Sequence, residues 1–244
     1  AYPMHDPLTL LAAVAARTTR LRLTTNILVA PTRDPVLLAK AAATLHSLSG
    51  GRFTLGMAVG ARPDDYAAVG VPFDGRGARF DAMLATMRAI WREELVNGAK
   101  NAIAAEPVDV SILIGGHSDR GARRVAQWAQ GWTAGCAAVE QVAAGVERVH
   151  TAWAAQGRKG KPWLLASAYF ALGDPAGSLQ NTTDYYRVLS PHVAEEVAAT
   201  ALRDEAAIVA HAHALEQLGV DEFVLEPTVT DLAQITRAAG CVRL

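Results

Sequence analysis

The stretch Ile112-Leu113-Ile114-Gly115-Gly116-His117-Ser118, followed by Ala122-Arg123-Arg124-Val125-Ala126, has the makings of an anion site. An apolar run ends in two glycines, a hydroxyl follows, and a helical pattern begins. Free backbone N–H groups at a helix N-terminus attract phosphate, and glycines let it approach closely. Ser118 fits as a donor to that phosphate or as the N-cap of the helix. A plain glycine turn with a capping serine fits the same residues, and no Gly-x-x-x-x-Gly-Lys or Gly-x-Gly-x-x-Gly signature is present here. In Thr24 to Arg33, polar Thr25 and Asn26 sit inside a β-like run. In a parallel barrel the C-terminal strand ends face the active site. On pattern alone, a strand-favouring threonine and a bulge at Asn26 are the better explanation. Gly60-Ala61-Arg62-Pro63-Asp64-Asp65-Tyr66 is a polar loop after the next β-like run, and a solvated loop is its alternative reading. Parallel strands bring the loops after Asn26, Gly60 and Gly115 to one face.

Other chemistries find no support. The histidines, at 5, 46, 117, 150, 192, 211 and 213, form no metal pattern, and His211 and His213 lie two apart on a predicted helix, pointing to different sides. No serine stands in a Gly-x-Ser-x-Gly elbow, which removes the easiest hydrolase reading. The five tryptophans read as core, Trp91 and Trp128 on helix faces.

The elements that must position these residues alternate between short apolar β runs and alanine-rich helical runs. Asp6-Pro7 and Asp34-Pro35 repeat one start signal, an N-cap aspartate before a proline at the first helical position. They predict helices to about Thr18 and Leu48, the second stopped by Ser49-Gly50-Gly51. Further helices are predicted over Gly77 to Trp91, Ser118 to Gln130, Val139 to Gln156, most of 174–218 with a break near Ser190-Pro191, and Asp231 to Ala239. Strands are predicted over Leu21 to Val29, Arg52 to Val59, Val110 to Ile114, Trp132 to Ala134, Trp163 to Leu172 and Glu222 to Leu225. Ala1 to Pro7 and Ala61 to Arg76 read as loops, and Glu93 to Glu106 as an irregular excursion. Strands separated by helical crossovers imply parallel pairing. Six strands suit an open doubly wound sheet, whereas a closed eight-stranded barrel needs two more. No linker divides the chain, so one domain over 1–244 is expected.

Composition bounds the rest. With 244 residues, 51% hydrophobic and 19% charged, the chain is long and apolar enough to bury a sizeable core. A net charge of −1 argues against nucleic acid and anionic membrane surfaces as partners. Leu8 to Ala16 is too short to span a bilayer, and no signal peptide is visible. Two cysteines, Cys136 and Cys241, make no disulfide framework, and a cytoplasmic protein is expected.

Leu23 to Lys40, Leu48 to Gly56, Phe73 to Asp81, Ile114 to Ser118 with Arg123 to Ala126, Gly131-Trp132, and Leu218 to Leu225 together resemble the bacterial-luciferase-like superfamily, in this order and over essentially the whole chain. The resemblance implies an α/β fold of the TIM (β/α)8-barrel type that binds FMN or the deazaflavin coenzyme F420. It implies a non-proline cis peptide at Asn26–Ile27 as a backstop for the cofactor ring, with Gly60 bordering the ring. Gly115, Gly116 and Ser118 would hold the phosphate, and Gly135 and Cys136 would also lie against it. Family members begin with a strand, a helix and a second strand, which would precede Tyr2-Pro3-Met4-His5-Asp6-Pro7. The barrel is therefore expected to lack its first two strands here, as a fragment or as a truncated relative. His5 and Asp6, ionisable and near that point, are the candidate acid and base. Some deazaflavin enzymes carry a glutamate acid where this chain has Ala61, so the resemblance does not extend to a sugar-phosphate dehydrogenase mechanism. The implied function is hydride transfer between F420 and a small organic substrate, in a homodimer. An FMN monooxygenase fed by a partner reductase, and a non-catalytic flavin-binding barrel, are the alternatives.

Overall fold

The computed structural model describes residues 5–104 and 106–241. The loop expected over Ala1 to Met4 lies outside them. The chain forms two compact units. One runs from the N-terminal side to Gly115 and includes Gln127–Gln130; the other comprises Gly116–Ala126 and everything from Gly131 on.

In the first unit, α1 (Pro7–Arg17) begins where Asp6 accepts a hydrogen bond from the Thr9 amide, and α2 (Pro35–Leu48) where Asp34 accepts from Val36 and Leu37. The expected first strand is divided into β1 (Leu23–Thr24) and β2 (Leu28–Val29). Both lie parallel to β3 (Phe53–Ala58), with Thr24 opposite Thr54 and Leu28 opposite Met57. Four steps on one side therefore match three on the other, and the extra residue is accommodated between Thr25 and Ile27. β4 (Ser111–Gly115) pairs with the far side of β3, also parallel. Leu55, Met57, Ile112, Leu113 and Ile114 are fully buried, as strands covered on both faces require. The stretch expected to be a loop, Ala61 to Arg76, contains a helix, α3 (Pro63–Ala68). Pro63 at its first position and Asp64 and Asp65 in its first turn suit a helix start. In α4 (Arg76–Trp91), Phe80, Leu84, Met87 and Trp91 are buried on one side, as their spacing predicts. Arg52 ties the end of α1 to the start of β3, its guanidinium donating to the carbonyls of Ser49, Leu21, Ala15 and Thr18.

The second unit contains β5 (Gly131–Cys136), β6 (Trp163–Phe170) and β7 (Glu222–Pro227), all parallel. β5 is longer than the expected Trp132 to Ala134 and carries an irregularity between Thr133 and Cys136. The helices are α5 (Asp119–Trp128), whose last two residues are counted with the first unit, α6 (Val139–Ala155), α7 (Pro175–Tyr186), α8 (Pro191–Ala199), α9 (Glu205–Gln217) and α10 (Ala233–Cys241). The helical stretch 174–218 breaks at Ser190 as expected and again before Asp204, which caps α9 through the Ala207 amide. In that second break Leu202 forms a bridge with Phe170 at the end of β6. Gly145 lets α6 approach β5: a Cβ there would stand 2.2 Å from the Trp132 ring. The described strands number seven against six expected, the difference being the division at Thr25–Ile27.

Candidate functional site

The division between β1 and β2 is built by Thr25. Its side chain is buried, and its hydroxyl donates to the Gly56 carbonyl while accepting from the Gly56 amide, both at 2.8 Å. The side chain thus stands in for a strand neighbour where the backbone departs from the ladder. The peptide bond Asn26–Ile27 is cis, at the position the resemblance implies. Gly56 must be glycine, since a Cβ there would lie 1.9 Å from the Thr25 carbonyl oxygen and 3.3 Å from Ile27 Cγ2. Ile27, next to a buried strand, is 40% exposed and offers an apolar surface.

Gly60 follows β3 with φ +69°, and a Cβ would meet Val29 at 2.7 Å. Tyr66 of α3 is buried, donates to the Val59 carbonyl at 2.5 Å and meets the edge of Phe73, whose face carries Arg76. The stretch after β3 is therefore a packed element rather than a solvated loop. Gly115 is the buried last residue of β4. Asp6 accepts from the amide and hydroxyl of Thr9 and pairs with Arg33 at 2.7 Å. The Thr9 amide, aided by Arg33, holds its carboxyl below the usual range against the opposing effect of burial. His5 is exposed.

In the second unit Gly116 adopts φ +119° and is exposed, with open space where a Cβ would stand. Its carbonyl accepts from Trp132 Nε1 at 2.9 Å. His117 Nε2 bonds the Ala134 carbonyl at 3.0 Å, and its ring meets Trp132 edge-on. Ser118 caps α5 by accepting from the Gly121 amide at 3.1 Å, which leaves its own O–H proton to donate outward. The two readings of Ser118 are thus compatible. Gly135, at φ +65°, also has open space at the Cβ position, so both glycine turns are cradles that an anion can approach.

Cys136 belongs to a cluster that sequence reasoning missed. Register sets Cys136 opposite Ser167 and Tyr169 opposite Glu226, and Ser167 and Tyr169 share a face of β6. Tyr186 of α7 reaches the Tyr169 hydroxyl at 2.6 Å, and Tyr185 stands edge-on to Tyr186. Burial pushes the Cys136 thiol up to about 12, with the Glu226 carboxylate adding to the effect. Burial likewise raises Tyr169, and lifts Tyr186 to about 12. All three keep their protons at neutral pH. The available signal was Ser167 and Tyr169 alternating inside an apolar strand. Among the described residues no group of acidic, histidine or cysteine side chains fits a metal ion, and no helix is long and apolar enough to cross a membrane.

The family model described as luciferase-like monooxygenase matches residues 1–225. An uncharacterized protein of Mycobacterium tuberculosis (strain H37Rv), Rv0940c, is 37% identical over 141 residues, 54% of this chain and 49% of the relative. The chain thus matches about half the length of that relative. Among solved structures, an F420-dependent secondary alcohol dehydrogenase in complex with an F420-acetone adduct aligns with TM-score 0.79 at 14% identity, over 98% of this chain and 85% of that one. The oxygenating constituent of 3,6-diketocamphane monooxygenase from Pseudomonas putida, in complex with FMN, aligns with TM-score 0.69 at 13% identity, over 92% and 78%. These likenesses show a shared α/β fold.

Proposed function

The chain belongs to the luciferase-like monooxygenase family, and from that premise we propose that it is an oxidoreductase using the deazaflavin F420 to move a hydride to or from a small organic substrate. The observation that carries the reading is the exposed apolar face of Ile27 at the break between β1 and β2, which Thr25 holds against Gly56. An apolar, rigid ledge of this kind suits a planar heterocycle. When bound, the cofactor supplies the hydride chemistry.

The chain's own residues supply binding and orientation. Asn26 and Ile27 back the ring, and Gly60, fixed against Val29, borders it. Gly115 ends the strand that leads into the glycine turn. Gly116, with its open backbone, and the outward proton of Ser118 serve the phosphate at the start of α5, and Gly135 with Cys136 forms a second glycine cradle for it. Asp6, engaged by Thr9 and Arg33, positions the entry to α1, and with His5 it remains the proposed acid–base pair of the first unit. The fold proposed for the whole protein is the family's TIM-type barrel, assembled as a cytoplasmic homodimer.

Titration of the purified protein with F420 and with FMN, read by tryptophan quenching, tests the reading. F420 is expected to bind more tightly and to support substrate reduction without oxygen. Absence of binding by either cofactor would overturn the proposal. A second reading, an FMN monooxygenase supplied by a reductase, is favoured by the family's description and by the FMN-bound likeness. Consumption of reduced FMN only with both oxygen and substrate would select it. Tight binding without turnover would select a non-catalytic flavin carrier.

A further inference from the structure

Two main-chain carbonyls of the second unit are each engaged by a ring nitrogen. Trp132 Nε1 donates to the Gly116 carbonyl at 2.9 Å, and His117 Nε2 meets the Ala134 carbonyl at 3.0 Å. A carbonyl can only accept, so Nε2 carries the proton there, and in the neutral ring Nδ1 keeps a lone pair. The edge-on contact with Trp132, 5.6 Å between centroids, holds the ring in that orientation. Nδ1 is bonded to Cγ, so it stays beside the turn between Gly116 and Ser118 while Nε2 reaches across to β5. His117 is exposed, and among the described residues nothing bonds to Nδ1. The groups next in the chain are donors. The Asp119 and Arg120 amides, the first two of α5, donate to no described residue, and Ser118 has its outward O–H. A lone pair set among such donors repels an anion, and a proton on Nδ1 removes the mismatch.

We propose that His117 is the cationic contact of the phosphate cradle, its Nδ1–H donating to a bound phosphate while its Nε2–H stays on Ala134. One proton moves. It reaches Nδ1 from solvent, or from the ligand's own P–OH where the ligand has one, and otherwise only hydrogen bonds form. A donor that carries charge holds phosphate more strongly than a neutral one. The ring supplies that charge itself. β5 contains no charged residue, and its Cys136 thiol keeps its proton. On α5, Asp119 stands beside Arg120, one charge of each sign and both exposed, and Arg123 and Arg124 follow one turn later. The bond to Ala134 also ties the turn at Gly116 to the one at Gly135, the next residue. The proposal rests on the phosphate cradle of the reading above and applies to FMN and to F420 alike.

The test uses the cofactor-free full chain with ¹⁵N-labelled histidine, observed by NMR just above neutral pH, with His117→Gln identifying the His117 signals. Inorganic phosphate is expected to move the Nδ1 resonance from its unprotonated towards its protonated position while Nε2 stays protonated, and chloride at equal ionic strength to leave both in place. Dimethyl phosphate separates an esterified phosphate from the free anion: a shift with either carries the proposal, and the pair shows which source the cradle takes. His117→Gln retains an N–H able to reach the Ala134 carbonyl but has no charge, and should lose about tenfold or more in phosphate affinity, about the worth of one hydrogen bond to a charged group. The Asp119 and Arg120 amide resonances report binding in both proteins. An Nδ1 resonance unmoved once those amides have saturated, no binding of either phosphate, or undiminished affinity in His117→Gln overturns the proposal. The ring measurement on the unaltered chain decides the matter even if the variant fails to fold. Failure of both F420 and FMN to bind would remove the oxidoreductase reading yet leave a positive phosphate result in place.

Discussion

The ledge at Thr25–Ile27 and the cluster around Tyr169 solve the problem of a polar interruption in a buried parallel sheet in opposite ways. At the ledge the backbone itself leaves the ladder, and one threonine hydroxyl with one glycine closes the gap. Around Tyr169 the β6–β7 ladder continues without a break from Leu165 to Phe170, the irregularity being confined to β5 before Cys136, and side chains from β5, β6, β7 and α7 bring the chemistry. A site made of backbone is intolerant of added atoms, whereas one made of side chains tolerates isosteric change but responds to charge.

The sharpest way to break this contrast is Gly56→Ala. With a Cβ only 1.9 Å from the Thr25 carbonyl, the change should cost about 3 kcal/mol and abolish cofactor binding, read by denaturant midpoint and quenching. Retained stability would mean that the ledge is not rigid. Thr25→Val keeps the shape but leaves the Gly56 amide and carbonyl without their partner, and should cost about 2 kcal/mol in the same measurement. Asp6→Ala removes the cap of α1 and should cost about 1 kcal/mol at neutral pH. The folded-state carboxyl of Asp6 is held below its unfolded value, so its contribution is complete above about pH 4 and disappears as pH falls through the folded value. The wild-type advantage over Asp6→Ala should shrink over that acid window. In the cluster, Glu226→Gln should leave stability nearly unchanged but bring the Cys136 titration below about 12, because the Glu226 charge raises it. Ultraviolet absorbance of the thiolate against pH checks this, and an unmoved titration would remove Glu226 from the cluster.

Much of the fold was legible because its signals are local. Asp6-Pro7 and Asp34-Pro35 place a cap and a fixed φ side by side, and both helices begin where those residues say. The apolar spacing of Phe80, Leu84, Met87 and Trp91 was equally direct. The helix at Pro63 escaped notice because six residues with a single large ring, Tyr66, offer no apolar period, although Pro63-Asp64-Asp65 carries a start signal. The second break in 174–218 was hidden by alanine-rich helices on both sides, with only Asp204 to announce it. Propensity sees Leu21 to Val29 as one strand. A bulge at Asn26 was one reading of the residues, and family resemblance implied the cis bond there. The tyrosine–glutamate cluster was invisible for another reason: its members lie between residues 136 and 226, and only parallel register brings them together.

Trp132 turns one further feature to practical use. Its indole N–H holds the Gly116 carbonyl while the far edge of the ring rests against Gly145 of α6. A chromophore wedged between a glycine hinge and a helix is a native optical gauge, sensitive to displacement of either support. Replacing the other four tryptophans with phenylalanine would isolate that emission, and an anion seated at the hinge would then announce itself without any added dye.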